Sequence, residues 1–193
     1  GKRGRLMIQV VVVKWGARYS SAHVNNTLSE ICRLSSREVN CICITDEPEG
    51  LAKFIEIKPF PDWGDWYETL KKGCRLKLSI FEKGILDPDL PTLFFDLDTM
   101  ILGDVCELVR GLEKTGGMYM CRGHVLPLWR ILGVVKALIK NYYYYGNSPM
   151  LAFYPREFEG LIDDFKNEFE YVRWRGITHK WPCLLYTSPS PRD

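Results

Sequence analysis

Two carboxylates, Asp96 and Asp98, stand one residue apart in the segment Leu93-Phe-Phe-Asp-Leu-Asp-Thr-Met-Ile-Leu102. At the end of an apolar run, that spacing makes an oxygen-rich site for a hard divalent cation, Mn²⁺ or Mg²⁺. A cation held there can bridge a diphosphate and neutralise the charge that grows on it as a bond to it breaks. The same spacing serves a second chemistry, with the first aspartate as phosphoryl nucleophile and the second as acid or base. Acidic pairs also end ordinary loops, so the elements that position the pair have to be read as well.

Thr92–Phe95 reads as a buried strand running straight into Asp96, after a turn at Asp87-Pro-Asp-Leu-Pro91. Leu6–Val13 is an almost unbroken β-branched run, which suits a strand buried on both faces of a parallel sheet. Ser20 or Ser21 can cap a following helix in which Val24, Leu28, Ile31, Cys32 and Leu34 recur at helical spacing. Val39–Ile44 and Phe54–Ile57 are further strand candidates, and a β-α-β order points to an α/β sheet. In such sheets ligands collect at the carboxyl ends of the strands, where the acidic pair falls.

Further along, Leu76–Phe81 reads as helical, Gly116–Cys121 as a strand and Leu126–Lys140 as a helix. On the last, Arg130, Gly133, Lys136 and Lys140 share one narrow face, which fits either a core helix or a peripheral membrane contact with snorkelling cations. Tyr142–Tyr145 could serve as core, interface or sugar platform.

The 193 residues, 46% hydrophobic and 26% charged, suffice for one domain with a buried core. A formal net charge of +2, from 26 Lys and Arg against 24 Asp and Glu, excludes the basic footprint of a dedicated nucleic-acid binder. Seven cysteines without CxxC or zinc spacing read as reduced, mostly buried thiols. No run reaches the roughly 18 apolar residues that span a bilayer, and no signal-peptide pattern is visible, so a cytoplasmic protein, soluble or peripheral at the inner face of the membrane, is expected. Residues 183–193 resemble a translated sequencing adapter, which leaves 1–182 as a single domain expected to be incomplete at its C-terminus and inactive as it stands. Met7, directly before the first strand, is the expected initiator.

The order over Leu93–Leu108 of apolar strand, Asp-x-Asp, short apolar stretch and a small residue before Asp104 resembles the GT-A glycosyltransferases. Other segments are similar, in order, to a bacterial capsule or lipopolysaccharide-type group of them: Val13-Lys-Trp-Gly16 with Tyr19, Ile44-Thr-Asp46, Lys77-Leu-Ser79 and Asn147-Ser-Pro-Met150. The resemblance covers most of residues 6–155. It implies a three-layer α/β/α fold with a mostly parallel central sheet, a nucleoside-diphosphate sugar donor and a saccharide or lipid-linked acceptor. By the same resemblance Val13, Lys14, Trp15, Gly16, Tyr19 and Asp46 hold the base and ribose, and Lys77 approaches the diphosphate or donor sugar. Asp96, Leu97 and Asp98 take the metal and donor, and Asn147 with Ser148 the donor sugar or acceptor. Some retaining members add a histidine near the C-terminus to the metal, for which His179 is the candidate here. No residue is assigned as general base.

Plainer readings stand beside these. Asp46 could only shape the turn Thr45–Gly50, Lys77 could be a solvated helix residue, and Asn147-Ser-Pro could be a simple turn. Trp63, Trp66 and Tyr67 could stack on a sugar or merely anchor their Pro-rich loop. His23 and His124 have no acidic or cysteine companions at ligand spacing and read as surface or satisfied groups. A haloacid-dehalogenase-like phosphatase with Asp96 as nucleophile is the main rival, but its motif opens its domain and carries Thr or Val where Met100 stands. A non-catalytic nucleotide-sugar-binding module is the third reading.

Overall fold

The computed structural model describes residues 7–71, 75–122 and 146–174. The first strand, β1 (Met7–Lys14), is buried over all but its first residue. It can be so because its β-branched side chains feed both faces of the sheet and both of its edges are paired in parallel, to β2 (Glu38–Thr45) and to β4 (Thr92–Phe95). With β3 (Ile55–Lys58), β5 (Tyr119–Arg122) and β6 (Gly146–Phe153), the sheet runs β3-β2-β1-β4-β6-β5. The four strands β3-β2-β1-β4 are parallel, while β6 and β5 are added antiparallel.

Each face of the sheet carries its own apolar cluster. On one side α1 (Ser21–Leu34) and α3 (Cys106–Thr115) cover Ile8, Val10, Val12, Leu93 and Phe95. Helix α1 starts at Ser20, whose hydroxyl accepts from the His23 N–H at 3.2 Å, and it buries Val24, Leu28 and Ile31. On the other side a 3₁₀ helix, Arg75–Phe81, packs with α2 (Trp66–Lys71) and α4 (Leu161–Trp174) over Val11, Val13, Phe94, Leu151 and Phe153. The result is the expected three-layer sandwich.

One buried polar residue sets the height of β4. Gln9, fully buried in β1, donates through Nε2 to the Asp87 carbonyl and to Thr92 Oγ1, both at 2.7 Å, and accepts from the Asp87 N–H at 3.2 Å. The Asp87–Pro91 turn is thereby tied to β1, so β4 begins at a defined level and delivers Asp96 to the carboxyl end of the sheet.

Several local expectations shift. Leu76–Phe81 lies within a 3₁₀ helix, and the strand expected at Gly116 starts only at Tyr119, because Gly116, with φ of 65°, ends α3. Asn147-Ser-Pro is the start of β6, not a turn. Leu6, the segment 126–140, Tyr142–Tyr145, His124 and His179 lie outside the described residues. Among the described residues no helix is long and apolar enough to cross a membrane.

Candidate active site

Where β4 ends, the ladder to β6 is half made. Phe95 pairs with Met150, and the Asp96 N–H donates to the Pro149 carbonyl at 2.8 Å. Proline has no N–H to return. The Asp96 carbonyl accepts instead from the Thr99 N–H at 3.0 Å, which closes a tight turn over Asp96–Thr99, and Thr99 Oγ1 pins that turn by donating to the Pro149 carbonyl at 3.2 Å. The acidic pair is therefore a strand end folded back on itself.

The turn separates its two acids. Strand alternation puts Phe94 and Asp96 on the side of the 3₁₀ helix and Phe95 and Leu97 on the side of α1 and α3. Asp96 meets Lys77, whose Nζ lies 2.6 Å from Oδ1 and 2.7 Å from Oδ2, and each side chain is only 8% exposed. Lys77 also lies over the Phe94 ring, 5.9 Å from its centroid. Burial pushes the Asp96 carboxyl up, an effect that the Lys77 charge and hydrogen bond oppose, with Asp98 adding to the rise and Arg18 countering it. Asp98, by contrast, is exposed.

Leu97, buried between these acids, is held on the opposite face, and its carbonyl accepts from His23 Nε2 of α1. The His23 ring stacks on Tyr19 with centroids 5.3 Å apart, and the Arg18 guanidinium sits 5.3 Å from the Tyr19 ring. The loop after β1, with Gly16 at φ of 60°, is thus linked through Tyr19 and His23 to the acidic turn.

The remaining candidates line the same edge. Val13 is buried, and Trp15 is half-buried against the second cluster. Lys14 is buried and pairs with Glu47 at 2.7 Å. Asp46 accepts from the Tyr67 hydroxyl at 3.0 Å, and burial followed by that bond pushes the phenol up to about 12. Trp63 is buried and donates to Glu82 at 2.7 Å, which makes it an anchor of its loop. Because β6 runs antiparallel to β4, its first residues, Asn147 and Ser148, also arrive at this edge. Ser148 is buried with a hydroxyl that has no hydrogen-bond partner among the described residues, and alternation puts it on the face of Leu97, opposite Lys77 and Asp96.

The sheet thus gathers the loop after β1, Asp46, Lys77, the acidic turn and the start of β6 at one end. His179 lies outside the described residues. Lys77 is not the solvated lysine of the plainer reading. Arg18, His23, Glu47 and Thr99 were not among the expected site residues. Of these, only the Tyr19 and His23 pair carries a legible signal, two rings four residues apart at a helix start. Among the described residues no group of three or more His, Cys, Asp or Glu converges as a closed metal cage. Two carboxylates suit a hard cation whose remaining positions are filled by diphosphate oxygens and water, although Lys77 already occupies both oxygens of Asp96.

No protein-family model matches the sequence, and no curated protein sequence matches it. Solved structures do. The fold is similar to that of the galactosyltransferase LgtC in complex with donor and acceptor sugar analogs, with a TM-score of 0.55 at 13% identity over 90% of this chain and 67% of that one. An active-site mutant of LgtC gives 0.58 at 12% identity over 90% and 66%. The apo glycosyltransferase GlyE of Streptococcus pneumoniae TIGR4 gives 0.52 at 10% identity over 95% of this chain and 45% of that one. The fold is the GT-A type of α/β sandwich, and the chain spans about two thirds of LgtC and less than half of GlyE.

Proposed function

We propose that this chain is the donor-binding part of a glycosyltransferase, which moves a sugar from a nucleoside diphosphate to a saccharide or lipid-linked acceptor. The observation that carries the reading is the acidic turn Asp96–Thr99, at the carboxyl end of β4, in a sheet of the kind that LgtC and GlyE share. Parallel strands leave their ligand-binding loops at that end, so the loops after β1 and β2 suit the nucleoside. Lys77 stands beside Asp96 as a fixed cation for the diphosphate or donor sugar, and Asn147 and Ser148 serve the sugar or acceptor. Asp98, exposed and two residues beyond the buried Asp96, is the primary ligand for Mn²⁺ or Mg²⁺, with Asp96 as the second. When bound, the cation would stabilise the charge of the departing diphosphate.

Calorimetry tests this reading. UDP or GDP binds in the presence of Mn²⁺ and binding is lost in Asp98→Ala. Unchanged metal-dependent binding in that variant sinks the proposal. The phosphatase alternative would use Asp96 as its nucleophile, but that motif opens its domain, whereas here it follows three strands of the sheet. Metal-dependent release of phosphate from a phosphomonoester, abolished by Asp96→Asn, would favour that alternative instead.

A further inference from the structure

Away from the acidic turn, two thiols meet. Cys32, an exposed residue of α1, and Cys41, buried within β2 between Val10 and Ile55, bring their sulfur atoms to 3.2 Å. A disulfide needs about 2.05 Å, so the two sulfurs have only about 1 Å to close. Cys43 and Cys106 are buried, Cys121 is half-buried, and among the described residues no second pair of cysteine sulfurs is in contact. The described thiols are free and mostly buried, as expected, and the exposed Cys32 touches a buried partner.

We propose that Cys32 and Cys41 form a redox modification site, in which Cys32 exchanges with a low-molecular-weight disulfide and Cys41 resolves the adduct into an internal disulfide. With oxidised glutathione as the oxidant, the Cys32 sulfur gives up its proton, attacks one glutathione sulfur and displaces the other as a thiol. The Cys41 sulfur then attacks Cys32, gives up its proton and displaces the second glutathione thiol. The two protein thiols lose two hydrogens and the oxidant becomes two thiols, so the exchange balances. Burial pushes the Cys41 thiol up, which leaves the opening attack to the thiol of the exposed residue, Cys32, and slows the resolving step. The bond closes the short connection between α1 and β2 and fixes the helix to the sheet. The same helix presents His23 to the Leu97 carbonyl, yet the site needs no glycosyl transfer to operate.

The test is mass spectrometry of the chain after incubation with oxidised glutathione and blocking of the remaining thiols. The wild type takes up two fewer blocking groups than the reduced chain, yields a Cys32–Cys41 cross-linked peptide and melts at a higher temperature. Cys41→Ser stops at a glutathione adduct on Cys32, and Cys32→Ser forms no adduct at either position. A stable adduct on Cys32 in the wild type, two unmodified thiols, or a cross-link mapped to other cysteines overturns the proposal. The wild-type peptide map decides even if a variant fails to fold.

Discussion

The two faces of the sheet meet the acidic turn in opposite ways. On the face of the 3₁₀ helix, β4 sends Asp96 into an apolar cluster where Lys77 meets its charge at 2.6 and 2.7 Å. On the face of α1 and α3, the next residue, Leu97, is anchored by packing, and its backbone carbonyl meets a polar group, His23 Nε2. One face therefore holds the turn by charge and the other by shape. Asp98, past the last paired residue, escapes both and remains exposed. A two-residue acidic motif thus contains one buried, paired charge and one open to solvent, because a strand alternates its sides and then ends.

Removing Lys77 is the strongest way to break this contrast. Lys77→Met leaves Asp96 buried without its partner, and urea unfolding should show a loss of about 3–5 kcal/mol. The double variant Lys77→Met with Asp96→Asn should recover part of it, since no uncompensated charge then remains. The loss from the single variant should also shrink as pH falls, because burial already pushes the Asp96 carboxyl up and the unpaired acid takes a proton. A single variant as stable as the wild type would show that the pair is solvated and that the faces do not differ.

The other face predicts a smaller effect of a different kind. His23→Ala removes one donor from the Leu97 carbonyl at a half-open site, so stability falls by about 1 kcal/mol. Because the carbonyl precedes Asp98 directly, the affinity for Mn²⁺ with UDP should weaken as well, whereas His23→Gln, which keeps a side-chain N–H, recovers part of the loss. Equal nucleotide affinity in His23→Ala and wild type would reduce this contact to packing.

The difference in legibility follows the same division. β1, α1, β2 and β4 are readable because β-branched runs, a serine cap and 3.6-residue spacing are local signals, and Thr92–Phe95 falls where expected. The partnership of Lys77 with Asp96 is not, since nineteen residues and a helix packed over the sheet separate them. Nor is β6, whose Asn-Ser-Pro start carries turn chemistry. There the missing N–H of Pro149 frees the Asp96 carbonyl for Thr99, so a residue that argues against a strand is what shapes the turn. His23 acts through a backbone carbonyl, and spacing among ligand types cannot reveal that.

The smallest effect tests how the α1 and α3 face is closed behind the turn. Asp104 Oδ1 accepts from the Cys106 N–H at 2.9 Å at the start of α3 and from the Ser36 N–H at 3.2 Å just after α1. A side-chain hydrogen bond with Ser36 first, then the bonds from Cys106 and lastly the Ser36 N–H, hold its carboxyl well below the ordinary 3.8. A carboxyl lowered by folding contributes stability that is fully present above its unfolded value and is lost as pH falls through its folded value. Asp104→Asn should therefore be less stable than the wild type by a constant margin from pH 7 down to about 4, and the margin should narrow below that as Asp104 protonates. Urea midpoints of both proteins across that range measure it. Because Asp104 is half-exposed, the margin should be smaller than that for His23→Ala, and a margin that widens toward low pH would mean the contacts do not favour the charged form.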